Sequence, residues 1–370
     1  MRFYAAPSGD DQQHNGTHPD RPFKSLERAR AAVRAAIQQG LTEDVEVVLR
    51  GGDYFLTSPL VFGPEDSPPD GFTVTYRSDP GERPVIYAAR LLDGWQANGD
   101  GSYSLTNAGA CHILYSDKRT VHKARFPAAE YATAEEAEHG PSDLQFRAAQ
   151  EIIDHITQVE GLQVYIWPGG PEGVWNWFTD IIPVKSIDRE TRVITLQSPA
   201  RYVLGTGSRF FLMGSGGFLE HPGQFFHDPR TRTLTYIPHS EPPDKSPVIA
   251  PFTPRAVAFV GDSPAAVVRG IVLDGLEICC TDSVNEIGGD PGPNGDAVYP
   301  EEDGMVYLEY AEAIEIRNCH LHHAGMHAIF GNRWVQHCAF DGNHIHDVGF
   351  TGVLLNGAWR GIRYENHHNT

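Results

Sequence analysis

The sequence predicts an all-β chain that winds as a parallel β-helix, a single-stranded solenoid in which short strands stack coil upon coil. Two segments carry nearly the same phrase, CHLHHAGMHAIFG at 319–331 and NHIHDVGFTGVLLNG at 343–357. Strand-like runs dominate most of the remaining chain, and 38 Gly and 27 Pro supply many turns. A repeat of this kind, with several short strands per unit, is typical of a parallel β-helix.

The two phrases are related by one constant offset. Matching residues are His320 and His344, Leu321 and Ile345, His322 and His346, His323 and Asp347, and Gly325 and Gly349. In stacked coils such residues become neighbours at the inter-strand spacing of ~4.8 Å. We therefore expect Leu321 to lie over Ile345 in the interior and His320 to lie over His344 beside it.

The N-terminal segment 1–91 is predicted to hold one helix and the first coils. PFKSLERARAAVRAAIQQG gives a helix with Ser25 as its N-cap and Gly40 as its stop. The apolar face of this helix consists of Leu26, Ala29, Val33 and Ile37. The helix would cap the open end of the solenoid, where an unpaired strand edge invites aggregation. Strands are expected within 44–56 and 72–87.

The segment 92–250 has longer loops, aromatic clusters such as VWNWF at 174–178, and hairpin patterns such as HDPRTRTLTYIP. It predicts an inserted, antiparallel β-rich module, with a weak helical pattern at 145–160. Short strands return at regular spacing in the third segment, 251–370. Because a solenoid normally ends in a polar cap and none is visible before Thr370, we expect the C-terminal coils to be missing.

Composition limits the partners. Lys plus Arg is 29 and Asp plus Glu is 48, which gives a net charge of −19. Such an acidic surface disfavours nucleic acid and anionic membranes. The N-terminus has no secretory-signal layout, so the chain as written is expected to be cytoplasmic, or secreted if its N-terminus was trimmed. The five cysteines form no motif and are expected to be reduced and buried. No feature indicates an oligomeric state.

Several motifs occur in an order that resembles a known group: FYAAPSGDD, VVLRGGDYFL, VTYRSDPGERPVI, SDKRTVHKARFP, HPGQFFHDPRTRTLTYIP and NHIHDVGFTGVLLNG. The chain is similar to the right-handed, pectate-lyase-like parallel β-helix proteins of carbohydrate metabolism, and most of all to members like those of glycoside hydrolase family 141. Fucosidase and xylanase activities are known in that family. The resemblance implies a right-handed coil and a polysaccharide or oligosaccharide partner. The chain departs from many relatives after LLNG, where it reads AWRGIRYENHHN.

Nine of the 18 histidines lie between 320 and 370. Residues i and i+2 of a strand share a face, so His320 and His322 should point together, as should His344 and His346. The arrangement is compatible with a structural ladder of stacked rings, with contact to substrate, or with a metal site. We expect no metal here, because a metal would recruit more carboxylates, and we assign His322, His346 and His327 to substrate binding.

Glycosidases usually employ two carboxylates. We expect Asp303 to be catalytic, in preference to the neighbouring Glu301 and Glu302, and Asp347 and His323 to form a proton-handling pair at one repeat position. A solvated acidic loop and a plain turn residue are the structural alternatives for Asp303 and Asp347. No cofactor is expected, although the acidic loop 280–303 leaves calcium open.

The aromatic residues of the module are divided between its core and sugar stacking, and Trp177 is assigned to substrate binding. The sequence therefore predicts a glycoside hydrolase that uses carboxylate acid–base chemistry on a plant-type or bacterial glycan. A β-helix polysaccharide lyase and a non-catalytic carbohydrate-binding fragment remain the alternatives, because this fold carries several activities.

Overall fold

The computed structural model describes residues 1–135, 140, 142–169, 179–283, 303–357 and 366–370. Strands make up nearly all of the regular secondary structure in the described chain, which confirms the prediction of an all-β protein. The α-helices among the described residues span Leu26–Gln39 and Gln150–Asp154. The chain divides into two compact units. Unit 1 comprises Met1–Arg90, Pro251–Ser283 and Glu302–Thr370, and unit 2 comprises Leu91–Ala250 and Val284–Glu301.

Unit 1 consists of parallel sheets. The first sheet contains Arg2–Ala5, Val45–Leu49, Val74–Ser78, Ile271–Asp274, Glu315–Arg317 and Ala339–Asp341. The second, called here the histidine sheet, contains Gly52–Phe55, Pro84–Tyr87, Glu277–Cys279, His320–Ala324 and His344–Val348. The third contains Leu60–Phe62, Val257–Val260, Gly304–Glu309, His327–Gly331 and Val353–Leu355. A short fourth sheet contains Val268–Arg269, Ala311–Glu312 and Val335–Gln336.

Successive turns of the chain add strands to these sheets in register. His320 pairs with His344 and Leu321 pairs with Ile345, as the sequence offset predicts. All the pairings within the histidine sheet are parallel. Residues that match in the two sequence phrases are therefore direct neighbours along the stack.

The turn that precedes this regular repeat is longer. Asp274 and Arg317, which are partners in the first sheet, are 43 positions apart. One turn later, Cys319 N donates to Asn343 Oδ1 across 24 positions. The additional chain enters between the histidine sheet and the third sheet, and pairing on both sides of it is kept.

Left-handed backbone marks the corners of the stacked turns. Cys280, His323 and Asp347 occupy one stacked position with φ of 60°, 52° and 50°. The corner continues through two glycines, where a Cβ on Gly325 would collide with the backbone of Asp282. The predicted Gly325–Gly349 pair therefore reflects close approach of one turn to the next.

The interior of unit 1 is filled by the alternate residues of its strands. Ile278 and Leu321 are fully buried and continue a column that includes Tyr54 and Ile86. The N-terminal helix joins this core through Leu26, Ala29, Val33 and Ala36. Its Ser25 hydroxyl accepts a hydrogen bond from Arg28 N at 3.1 Å, so the predicted N-cap is confirmed. Ile37, predicted on the buried face, is only partly buried.

Unit 2 is built from two further sheets and its own cores. The larger sheet contains Ala89–Leu92, Val248–Pro251, Leu114–Ser116, Arg119–Lys123, Gln224–Asp228, Thr233–Ile237, Tyr103–Leu105 and Gln96–Ala97. The other contains Arg125–Phe126, Ala132–Thr133, Arg209–Met213, Gln163–Trp167, Asp180–Asp188, Val193–Leu196 and Gln145–Arg147. Most pairs are antiparallel, but Arg119–Lys123 pairs in parallel with Gln224–Asp228. The weak pattern at 145–160 yields the short helix Gln150–Asp154.

Three further details complete the fold. Pro64–Asp66 and Gly216–Phe218 form single 3₁₀ turns. All five cysteines are buried, as expected, and none of them forms a disulfide. Among the described residues, no helix is both long and apolar enough to span a membrane.

Candidate functional site

The outward face of the histidine sheet carries the chemistry-bearing side chains. Strand alternation turns Leu321 and Ile345 inward and leaves two outward columns. One column contains Asp53, Val85, Glu277, His320 and His344, and the other contains Phe55, Tyr87, Cys279, His322 and His346. The sequence offset alone therefore places four imidazoles on one surface.

Glu277 anchors this surface although sequence analysis did not select it. The Glu277 side chain is only 3% exposed. Its Oε2 accepts from Arg83 Nε at 2.6 Å, and its Oε1 lies 3.0 Å from His322 Nε2. His322 Nδ1 in turn lies 2.6 Å from His323 Nδ1. Since the Glu277 carboxylate is flanked by a guanidinium, His322 Nε2–H donates to it and His323 donates to His322.

A second arm also begins at Arg83. Arg83 Nη2 lies 3.5 Å from His320 Nδ1, and His320 Nε2 lies 2.7 Å from His346 Nε2. His346 Nδ1 lies 2.8 Å from Asp347 Oδ2. Because Asp347 accepts the proton of Nδ1, a neutral His346 presents a lone pair on Nε2 to His320. Two series of hydrogen-bonded side chains, called arms here, thus begin at Arg83. The first arm runs through Glu277 and His322 to His323, and the second runs through His320 and His346 to Asp347.

Ring stacking reinforces both arms. His320 and His344 stack with centroids 4.9 Å apart and planes 5° from parallel. His322 and His346 stack in the same way at 5.2 Å and 4°. The rings therefore do form the stacked ladder that the sequence allowed, and the same rings also take part in the hydrogen-bonded arms.

Protonation follows from these surroundings. Burial, with the neighbouring His322 as the next cause, lowers the pKa of His320 to about 4, so this ring is neutral at pH 7. The hydrogen bond from His346 lowers the pKa of Asp347 below its ordinary value. The exposed carboxylate of Asp347 is therefore ionised at neutral pH.

The predicted catalytic residues lie at one corner of unit 1. His323 is buried and Asp347 is exposed, and both share the left-handed stacked position. Asp303 precedes the strand Gly304–Glu309 in the third sheet. Its Oδ1 accepts from Arg255 Nε at 2.7 Å and from the backbone N of Gly304 at 2.8 Å. The sequence did not indicate Arg255, whose guanidinium carbon lies 3.6 Å from the ring centre of Tyr307.

Two of the residues assigned to substrate binding are buried. His322 is enclosed within the network, and His327 lies between Phe330 and Phe350, with centroid distances of 5.2 and 5.5 Å. His346 is partly exposed and remains accessible. Phe350, 43% exposed, offers an aromatic face beside His327 that the sequence analysis overlooked.

Some predicted residues are not among those that the structure describes. Trp177, Glu301, Glu302 and most of the loop 280–303, including its calcium alternative, lie outside the described residues. Trp167 of the module is described. Its ring contacts Tyr131 and Tyr165, both at 4.8 Å, and the guanidinium carbon of Arg209 lies 5.2 Å from it.

Three groups in the described chain bring three possible metal ligands together. They are His320, His344 and His346; His337, His367 and His368; and Glu277, His320 and His322. The ligand atoms of each group lie within 4.8 Å of one another. Imidazole nitrogen is a ligand for Zn²⁺ and other late transition metals.

Unit 2 contains a separate cavity of about 610 Å³. Its lining includes Lys123, Lys185, His112, His227 and Glu160. Glu160 is the single carboxylate among the described residues that line it. Paired-carboxylate chemistry therefore fits the corner of unit 1 better than this cavity.

Comparison with known proteins gives a likeness in structure only. No protein-family model and no curated protein matches the chain. A solved structure described as "Glycoside hydrolase" matches with a TM-score of 0.74 and 17% identity, covering 93% of this chain and 67% of that one. A second, "The complex structure of XylC with xylose", gives a TM-score of 0.38 and 11% identity, covering 96% and 62%. The first match shows a shared fold, and the second is too distant to carry an argument.

Proposed function

We propose that the protein is a glycoside hydrolase built on a right-handed parallel β-helix, near the proteins similar to glycoside hydrolase family 141. The in-register parallel sheets of unit 1 and the fold shared with a glycoside hydrolase support this proposal. The substrate is a neutral or weakly charged polysaccharide or oligosaccharide, because the net charge of −19 disfavours a polyanion. This chemistry needs no cofactor.

The carboxylates Asp303 and Asp347 carry the proposal. Gly304 pairs with His327, and Ala328 N donates to Thr351 O one turn later, so Asp303 and Asp347 belong to one corner two turns apart. Two inter-strand spacings amount to ~10 Å along the stack. This component along the stack lies just above the carboxylate separation of inverting glycosidases, roughly 6.5–9.5 Å, and well above the ~5 Å of retaining ones. Inversion is therefore the proposed stereochemical outcome.

The roles follow from the partners. Arg255 Nε donates to Asp303 Oδ1 at 2.7 Å, and we assign this oriented side chain the role of the base that activates water. Asp347 and His346 are hydrogen-bonded at 2.8 Å, and in the proposed mechanism this pair takes up one further proton from solvent and passes it to the leaving oxygen. His322 and His323, tied to Glu277, would orient the rings of the corner. Phe350 supplies a face on which a sugar ring can stack.

The test is hydrolysis by the full chain of aryl glycosides and oligosaccharides that carry fucosyl or xylosyl groups. Asp303→Asn and Asp347→Asn should each lower kcat at least ~100-fold. Asp341→Asn is the matched control, since Asp341 is an exposed strand carboxylate that pairs in register with Arg317. Nuclear magnetic resonance of the first product should show inversion. Equal activity of the three variants would refute the assignment.

A lyase is the second candidate, and the two lysines of the cavity in unit 2 favour it. Lys123 and Lys185 could supply the base that β-elimination needs. Products with ultraviolet absorbance from an unsaturated sugar, lost in Lys185→Met and kept in Asp347→Asn, would establish this candidate in place of the hydrolase.

A further inference from the structure

The cluster His320, His344 and His346 has the features of a metal centre in addition to those of a stacked ladder. The three rings bring ligand nitrogens within 4.8 Å of one another. In a tetrahedral zinc site with Zn–N of ~2.0–2.1 Å, the ligand nitrogens are separated by roughly 3.3 Å. The Nε2 atoms of His320 and His346, at 2.7 Å, are already closer than that.

The surroundings of the ligands supply an independent observation. A histidine that binds a metal usually directs its other ring nitrogen to a carboxylate, which fixes the tautomer. His346 does so, because its Nδ1 lies 2.8 Å from Asp347 Oδ2 and its Nε2 faces His320. His320 differs, because its Nδ1 lies 3.5 Å from Arg83 Nη2 and 3.9 Å from the buried Glu277 Oε2. One of the three rings thus has a carboxylate hydrogen-bonded to its second nitrogen.

We propose that His320, His344 and His346 bind a divalent transition-metal ion, with Zn²⁺ as the representative ion. The ion takes the place of the proton that lies between His320 and His346. His320 then carries its proton on Nδ1, which lies 3.5 Å from Arg83 Nη2, so the Arg83 side chain moves away from this nitrogen when the ion binds. His344 is exposed, so the fourth position faces solvent and is open to water or a substrate oxygen. The inference does not rest on the hydrolase proposal, because it concerns binding alone.

The test measures binding of Zn²⁺ to chelator-treated full-length protein by calorimetry, and of Co²⁺ by its visible absorption. One equivalent should bind with a tetrahedral or five-coordinate Co²⁺ spectrum. His344→Ala, a substitution at an exposed position, should abolish binding of this one equivalent of metal. Asp347→Asn should lower the affinity for the metal ~10- to 100-fold, because Asp347 orients His346. Circular dichroism checks that each variant is folded.

Two matched controls make the result decisive. His18→Ala removes an exposed histidine of unit 1 outside the cluster and should leave binding unchanged. His337→Ala removes a member of the other three-histidine group and should also keep the equivalent and its spectrum. Absence of binding to the wild type, or loss of the spectrum in His337→Ala with retention in His344→Ala, would overturn the proposal. The histidines would then form a structural ladder only.

Discussion

Glu277 Oε1 and His322 Nε2 meet at 3.0 Å although the two residues are 45 positions apart in the chain. Their side chains are 3% and 4% exposed, so the bond is almost entirely shielded from water. A buried donor that loses its acceptor retains the full desolvation penalty. This bond therefore connects the stability of the corner with the orientation of its histidines.

Removing the acceptor should destabilise the protein. We expect Glu277→Ala to lower the free energy of unfolding by about 2 kcal/mol, because His322 Nε2 is left buried without its acceptor. Urea denaturation followed by fluorescence measures the effect. Glu315→Ala is the control, since Glu315 forms a half-exposed pair with Arg317 worth less than about 1 kcal/mol. If the two variants lost the same free energy of unfolding, the buried hydrogen bond would stabilise the protein no more than the exposed ion pair does.

Acid should weaken the contact of Glu46 with Arg77 and Arg2. Hydrogen bonds from Arg77 above all, and from Arg2, hold the pKa of Glu46 below its ordinary value of 4.5. A depressed pKa in the folded state means that the contribution is complete above the unfolded pKa and is lost as the pH falls through the folded value. Glu46→Gln should thus be less stable than wild type at pH 7, and this difference should shrink below about pH 4.5.

Urea titrations at several pH values measure the Glu46 effect, with the same substitution in an Arg77→Met background as the control. That background removes the main cause of the pKa shift, so the pH dependence of the Gln substitution should be smaller there. A difference that stays constant down to about pH 3 would contradict the prediction.

One alanine should be improved by glycine. Ala313 is exposed and has φ of 51°, in a stacked position between Gly270 and His337. Left-handed backbone costs an L-residue roughly 1–2 kcal/mol, so Ala313→Gly should stabilise the protein by about 0.5–1 kcal/mol. Ala31→Gly is the same change at an exposed position of the helix Leu26–Gln39 and should destabilise by a similar amount. Thermal melting that gives the same sign for both variants would count against the stacked corner.

Phe350 should contribute to binding and little to chemistry. Phe350→Ala removes the 43% exposed ring beside His327, and stacking of this kind contributes about 1 kcal/mol. If the protein hydrolyses glycans, KM should rise roughly fivefold with kcat nearly unchanged. Val61→Ala, at an exposed apolar position of the third sheet, should leave KM unchanged. A fall in kcat alone would place Phe350 in a different role.

The sequence was informative where the chain is regular. His320 and His344 could be paired by subtraction because nothing interrupts the repeat between them. Glu277 could not be paired in this way, because the stretch of chain between it and His320, its partner in the sheet, is longer than the repeat. The Ser25 cap could be predicted because both of its partners lie close together in the chain.

Contacts between residues that are far apart in the chain could not be predicted from any local sequence pattern. Arg83 reaches Glu277 across 194 positions, and Arg255 reaches Asp303 across 48. The parallel pairing of Arg119–Lys123 with Gln224–Asp228 was hidden in the same way, since hairpin patterns report only on adjacent strands. The carboxylates could thus be chosen from sequence, whereas the arginines that hold them required the folded chain.

The long turn before His320 bears on how the chain tolerates a change in length. Additional chain enters between Glu277 and His320, yet the strands on both sides of it keep their partners. A change in chain length at this place would therefore leave the register of the stacked strands unchanged. If the protein hydrolyses glycans, exchanging this one segment would alter the surroundings of Asp303 without any mutation that the stacked strands would have to accommodate.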